Sequence, residues 1–266
     1  MNPRLQIAMR AARAAGQTLH RKFDETREVR SKGKRDIVTD ADYAADRAVR
    51  EILFARFPED RVLSEESDAA AQDALWKEVR ADETLGMWIL DPLDGTTNYA
   101  HHQSIFCVSI ALYQFKTVQI GVIYDPIHDE LFAAERGRGA TLNGRPIAVS
   151  TTEKFEDAVI GMEWARRQSI RLRTAKVLSR MVARAMTARS TGSAALSLCS
   201  VAAGRLDAYF HLSLSPWDVA AGALIVEEAG GRVTTPTGAP WAVDSRAYVA
   251  SNRKLHPTAL RFFRGP

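Results

Sequence analysis

A layered α/β (α+β) sandwich, in which helix and sheet layers alternate, is the fold class this sequence predicts, and three patterns predict it. Two stretches near the start carry apolar residues at helical spacing. A block of β-rich runs with short connections fills the middle, and beyond about residue 150 strands and helices alternate. The 266 residues, 46% hydrophobic and 26% charged, suffice for a sizeable core. No repeat or low-complexity linker interrupts them, so the chain reads as a single unit over 1–266. Its N-terminal α+β half spans 1–150 and its C-terminal α/β half 151–266.

Over residues 5–23, Leu5, Ile7, Ala8, Ala11, Ala12, Ala15 and Leu19 recur with the helical period, and the opposite face is basic. Residues 24–35 show no period, contain Gly33 and are rich in cations, which predicts a mobile loop. Thr39 is a good N-cap, with Asp42 three residues on as a capping-box variant. The pattern then continues through Ala45, Val49 and Leu53 until Pro58 stops it. Residues 62–64 read as a short strand leading into Glu65-Glu66, and 68–80 as a helix. Runs at 87–90, 105–113, 118–124 and 131–134 predict a mostly antiparallel sheet. Gly137, Gly139 and Asn143-Gly144 read as turns rather than a dinucleotide fingerprint, because no helix follows them. In the second half we expect strands at 159–162, 207–212 and 247–251, and helices at 171–185, 190–203 and 217–229. Gly230-Gly231 stops the last of these helices.

Several function classes fall away on composition. The 36 basic and 32 acidic residues leave a net charge of +4, dispersed along the chain. The Arg-rich stretch of Arg166, Arg167, Arg171 and Arg173 shows no aromatic interleaving, which disfavours nucleic acid as the partner. Cys107 and Cys199 lie in apolar runs and read as reduced core thiols. No run is long and apolar enough for a membrane span, and the first ten residues lack a signal peptide's apolar segment. A cytoplasmic protein without a membrane partner is expected.

The chemistry concentrates in acidic motifs. In Asp91-Pro92-Leu93-Asp94-Gly95-Thr96-Thr97-Asn98 an apolar strand ends in two carboxylates three residues apart. Adjacent carboxylates repel, and a divalent cation with oxygen ligands offsets that repulsion. A kink at Pro92 can aim Asp91 and Asp94 at one point and turn the Leu93 carbonyl inward. The N–H groups of Gly95, Thr96 and Thr97 can then grip phosphate oxygens. Asp-Pro and Asp-Gly are also ordinary turn dipeptides. Each remaining acid has a similar second reading. Ser64-Glu65-Glu66-Ser67 is either a paired acidic site or a solvated helix start, Asp218 a ligand or an N-cap, and Asp42 a ligand or a capping-box residue. His101 and His102 follow the main motif, but a His pair in a loop is more often exposed than metal-bound.

In this chain order the motifs resemble the inositol monophosphatase family of lithium-sensitive, magnesium-dependent phosphatases. The resemblance runs over residues 5–251. Its most specific stretches are 88–98 and Trp217-Asp218-Val219-Ala220-Ala221-Gly222 continuing to Gly231, supported by Asp36-Ile37-Val38-Thr39, Glu65 and Gly192-Ser193-Ala194. The resemblance implies an inositol-monophosphatase-like fold and two or three Mg2+ ions, with Mn2+ as an alternative. Glu65, Asp91 and the Leu93 carbonyl would hold one ion, and Asp91, Asp94 and Asp218 a second. Asp42 and Glu65 would lie near a third, under the 32–35 loop. It further implies that Gly95 and Thr96 contact phosphate, while Asp94, Gly192, Ser193, Ala194 and position 211 face the alcohol. Glu65 and Thr96, with Asp94, would be the catalytic residues, activating water without a phosphorylated enzyme intermediate.

The implied substrate is a small phosphorylated polyol, inositol 1-phosphate foremost, and the implied assembly a homodimer. Fructose 1,6-bisphosphate, histidinol phosphate and 3′-phosphoadenosine compounds are the substrates of related branches. A non-catalytic binding or nucleic-acid-associated protein is the reading from another class. One position departs from the pattern. His211 stands where inositol-specific members carry a glutamate, and imidazole cannot supply a carboxylate's charge and two acceptor oxygens.

Overall fold

A computed structural model describes residues 2–25 and 28–264. Helix α1 (Pro3–Phe23) opens with Asn2 accepting from the Arg4 N–H at 2.9 Å, and His20, Arg21 and Lys22 in its last turn complement the helix dipole. Residues 24–35, expected as a mobile loop, instead supply strand β1 (Val29–Gly33), which pairs antiparallel with β2 (Asp36–Thr39). Residues 26 and 27 of that stretch lie outside the described residues. The hairpin escaped the sequence reading because β1 is exposed at every position and so carries no apolar alternation. Helix α2 (Asp40–Arg56) follows, with Thr39 and Asp42 forming the expected capping box.

The first half continues with β3 (Arg61–Ser64), α3 (Ala69–Ala81), β4 (Met87–Asp94) and the short α4 (Thr96–Ala100). Then come β5 (Cys107–Gln114), β6 (Thr117–Asp125), β7 (Glu130–Glu135), β8 (Ala140–Leu142) and β9 (Arg145–Pro146). Strands β3 to β9 form one seven-stranded sheet in sequence order, antiparallel except for the β3–β4 pair. The second half comprises β10 (Val159–Met162), α5 (Gln168–Val182), β11 (Thr187–Arg189), α6 (Ala194–Ala202), β12 (Ala208–His211), α7 (Pro216–Glu228), β13 (Arg232–Thr234), β14 (Tyr248–Ser251) and α8 (His256–Arg261). Its five strands run in the order β11-β10-β12-β14-β13. Helix α6 begins at Ala194 rather than at 190, because Ser193 is its cap, and α5 starts three residues earlier than the sequence suggested.

Strand alternation sorts the core into layers. Trp88 and Leu90 of β4 and Val108, Ile110 and Leu112 of β5 face α1 and α2, whereas Met87, Ile89, Cys107 and Ala111 face α6 and α7. In the second sheet Tyr209, Tyr248 and Ala250 join the α6–α7 side, while Phe210, Ile160 and Val249 pack on α5 and α8. Helix and sheet layers therefore alternate, as the sequence predicts. Helix α7 packs tightly on the first sheet at Gly121, where a Cβ would meet the Ala221 carbonyl oxygen at 2.7 Å. Both cysteines are buried and free.

Candidate active site

The parallel pairing of β3 with β4 sets Ser64 opposite Leu90, and the Glu65 N–H continues the ladder to the Leu90 carbonyl at 3.1 Å. Glu65 thus emerges beside Asp91. In β4, Asp91 pairs with Ser109 and Asp94 with Cys107, so two residues, Pro92 and Leu93, oppose the single Val108. This bulge at Pro92-Leu93 reverses the strand's parity and returns Asp94 to the face that already carries Asp91. The third contributor arrives from the second half. Ser109 Oγ donates to the Trp217 carbonyl at 3.3 Å, anchoring the start of α7 against β5, and Asp218 follows at once. Asp218 accepts from the Ser215 N–H at 2.6 Å, so its capping role is real and Ser215, not Asp218, is the N-cap.

One oxygen each from Glu65, Asp91 and Asp218 lies within 4.8 Å of the others. Burial, then the charges of Glu65, Asp94 and Asp218, pushes the Asp91 carboxyl well above its ordinary value of 3.8. Burial, then Glu65 and Asp94, does the same to Asp218. Among the described residues neither has an ion-pair partner, whereas Glu65 Oε1 has Arg166 Nη2 at 3.3 Å and Lys32 Nζ at 4.0 Å. Three converging carboxylates with no soft or imidazole donor fit a hard divalent cation, and the uncompensated pair is the physical case for one.

The other expected residues surround this group without joining it. Asp94 Oδ2 accepts from Ser193 Oγ and from the Ala195 N–H, both at 2.6 Å. Burial raises its pKa to about 6 even though these two bonds oppose the shift. Asp42 Oδ2 takes the Thr39 N–H at 2.8 Å and the Thr39 hydroxyl at 2.6 Å, and burial raises its pKa to about 7. Thr96 Oγ1 donates to the Leu93 carbonyl at 3.0 Å and lies 3.3 Å from Asp42 Oδ1. Gly95 has φ of +102°, and a Cβ there would meet the Ile105 carbonyl oxygen at 2.7 Å, so the backbone at the head of α4 requires glycine.

The pocket, about 680 Å³, is lined by Glu65, Asp91, Leu93, Asp94, Gly95, Thr96, Gly192, Ala194, His211 and Asp218 among others. Ser193 is fully buried behind Asp94. His101 also lines the pocket but stands outside the carboxylate group, as does His102.

Sequence reasoning missed the rim formed by Glu163, Trp164 and Arg166. Glu163, 8% exposed, accepts from the Ser190 hydroxyl at 2.8 Å and the Thr191 N–H at 2.7 Å, orienting the turn before α6. An acid directly after an apolar run was the available signal, the same one that marks Asp91. Arg166 pairs with Asp36 at 2.9 Å as well as with Glu65, a contact across 101 residues that no local pattern announces. No aromatic residue interleaves the Arg-rich stretch, but Trp164 just ahead of it lies under Arg171, whose guanidinium is 5.1 Å from the ring centroid.

Such an arrangement suits hydrolysis of phosphate monoesters. An anionic ester needs positive charge at its oxygens, and here a cation-demanding acidic floor meets an arginine rim. The sequence matches the inositol monophosphatase family across residues 1–264. It is 40% identical over 254 residues to inositol monophosphatase 2 of Solanum lycopersicum, covering 94% of each chain. Against the Nus factor SuhB of Vibrio cholerae it is 38% identical over 267 residues, 99% of this chain and 97% of that one. The crystal structure of the extragenic suppressor protein suhB from Bartonella henselae superposes with a TM-score of 0.91 at 35% identity, over 99% of both chains. The chain belongs to the inositol monophosphatase family and is a phosphatase of that family.

Proposed function

We propose that this phosphatase is magnesium-dependent and hydrolyses a small phosphorylated polyol or sugar, acting in the cytoplasm as a homodimer. The convergence of Glu65, Asp91 and Asp218 within 4.8 Å carries this reading. Those three, with Asp94 and the Leu93 carbonyl, would hold the ions, and Asp42 would stand near a further one. When bound, Mg2+ supplies Lewis-acid charge at the phosphoryl oxygens, and Mn2+ could substitute. Lithium sensitivity is expected from the family resemblance.

The chain's own groups do the rest. Thr96 spends its hydroxyl proton on the Leu93 carbonyl, which leaves its oxygen lone pairs to accept from a water. Glu65, which lines the same pocket, takes that water's proton as it attacks in line. The N–H groups of Gly95 and Thr96 orient the phosphate, while Gly192, Ala194 and His211 bound the space for the alcohol, with Ser193 fixing Asp94 from behind.

The test is phosphate release from inositol 1-phosphate, fructose 1,6-bisphosphate, histidinol phosphate and 3′-phosphoadenosine 5′-phosphate, with Mg2+ and with chelator. Mg2+-dependent release from a polyol or sugar phosphate above the nucleotide supports the reading. Equal release with and without the ion, or none at all, overturns it.

A further inference from the structure

We infer that the pocket wall built by His211 and Arg166 selects phosphate monoesters carrying a second anionic group. The inference rests on the phosphatase reading and narrows its substrate class.

The first observation is the tautomer of His211. Its Nδ1 accepts from the Ser213 N–H at 3.0 Å, so that nitrogen holds a lone pair and the ring proton lies on Nε2. The ring is 4% exposed and lines the pocket. Burial, helped by the positive charge of Arg166, keeps it neutral by lowering its pKa to about 4. A carboxylate at this position offers only acceptors and repels anions. The imidazole edge left over after the Ser213 bond offers one donor and no negative charge, so its natural complement is an acceptor.

The second observation is the bracing of Arg166. Arg35 reaches across from the β1–β2 hairpin, donating through Nη1 to the Arg166 carbonyl at 3.0 Å and through Nη2 to Gln168 Oε1 at 2.9 Å. Arg171 Nη1 donates to the Ala165 carbonyl at 3.2 Å, and its guanidinium lies over Trp164. The segment is thereby held from both sides, with the Arg166 side chain 3.3 Å from Glu65, at the edge of the acidic floor. Arg166 lines the same pocket as His211. A neutral donor and a planar cation in one pocket, with three more arginines in the lining, suit carboxylate or phosphate oxygens better than a hydroxyl.

Matched substrate pairs test this with Mg2+ present. One pair, 3-phosphoglycerate against glycerol 3-phosphate, differs by a carboxylate on the same three-carbon skeleton. The other, fructose 1,6-bisphosphate against fructose 1-phosphate, differs by a second phosphate. At least one substrate with the second anionic group should be favoured tenfold or more in kcat/KM over its match, and the pair that shows it identifies the group. His211→Glu should reduce that ratio at least tenfold, whereas His211→Gln, which keeps a donor, should retain most of it. Ratios near one in both pairs overturn the inference while leaving the phosphatase reading intact. A preference that His211→Glu leaves unchanged overturns it too. Release from none of the four compounds overturns the inference, and the phosphatase reading is then judged on inositol 1-phosphate alone. The wild-type ratios decide even where a variant fails to fold.

Discussion

Ser193 Oγ donates to Asp94 Oδ2 at 2.6 Å across 99 residues of sequence and accepts from the Leu196 N–H at 3.2 Å. One hydroxyl therefore caps α6 and holds a buried carboxylate of the other half of the chain. Ser193→Ala should cost about 2 kcal/mol of stability, the sum of a lost cap and a charge-assisted bond. It should also lower kcat, since Asp94 would lose one of its two 2.6 Å hydrogen bonds and keep the Ala195 N–H with the longer Cys107 contact. Denaturant unfolding and steady-state kinetics check the two effects separately. A stability change below about 0.5 kcal/mol would contradict the dual role.

Asp91→Asn should separate metal binding from folding. The amide oxygen can still accept from the Leu93 N–H, as Asp91 Oδ1 does at 3.0 Å, while one buried negative charge disappears. In chelator the variant should melt higher than the wild type. Millimolar Mg2+ should raise the wild-type Tm by on the order of 5 °C and leave the variant unmoved. Phosphate release should fall to background. Thermal melts with and without the ion would show it.

Gly95→Ala should be more damaging than its size suggests. Its φ of +102° and the Ile105 carbonyl at 2.7 Å from any Cβ leave no room without shifting the backbone at the head of α4. A loss of about 2 kcal/mol and a fall in turnover of at least tenfold are expected. Unchanged kcat with reduced stability would remove Gly95 from the proposed phosphate contact.

His256 is fully buried, with Ser251 Oγ at 2.7 Å from Nδ1 and Thr234 Oγ1 at 2.9 Å from Nε2. Burial, helped by Arg232, lowers its pKa from 6.5 to about 4. Between those values the unfolded chain binds a proton that the folded chain refuses, so stability is full above pH 6.5 and is lost as pH falls towards 4. The slope is at most about 1.4 kcal/mol per pH unit for one such group. His211 is shifted in the same direction, whereas Asp42 and Asp94, raised to about 7 and about 6, slope the opposite way, so His256→Gln should lower the stability difference between pH 7 and pH 5 by about 2 kcal/mol whatever the sign of the total. Chemical denaturation at pH 5 and 7 measures this, and an unchanged difference would contradict the assignment.

Much of the site was legible because its local chemistry repeats at element boundaries. Glu65 follows the apolar strand β3, Asp91 follows the apolar run 87–90 within β4, Asp218 sits in the first turn of an apolar helix, and Thr39 and Asp42 spell their capping box in four residues. These are short-range signals, set by backbone hydrogen bonding and side-chain periodicity, and they needed no partner from elsewhere in the chain. The capping reading of Asp42 and the cap-versus-ligand alternatives at Asp218 were equally visible, and in both residues the capping bonds exist.

What the fold alone decided is how these pieces meet. The β4 bulge chose the face of Asp94, the Ser109–Trp217 bond brought Asp218 to Asp91, and the exposed β1 strand formed only because β2 lay beside it. Arg166 became part of the pocket through Asp36 and Glu65, and His211 became a donor through Ser213. Charge and tautomer respond to neighbours across space, and the covalent chain records those neighbours only through the packing of distant layers. Sequence thus determined which acids and caps exist and where elements begin, while tertiary structure determined which charges face one another and with what protonation.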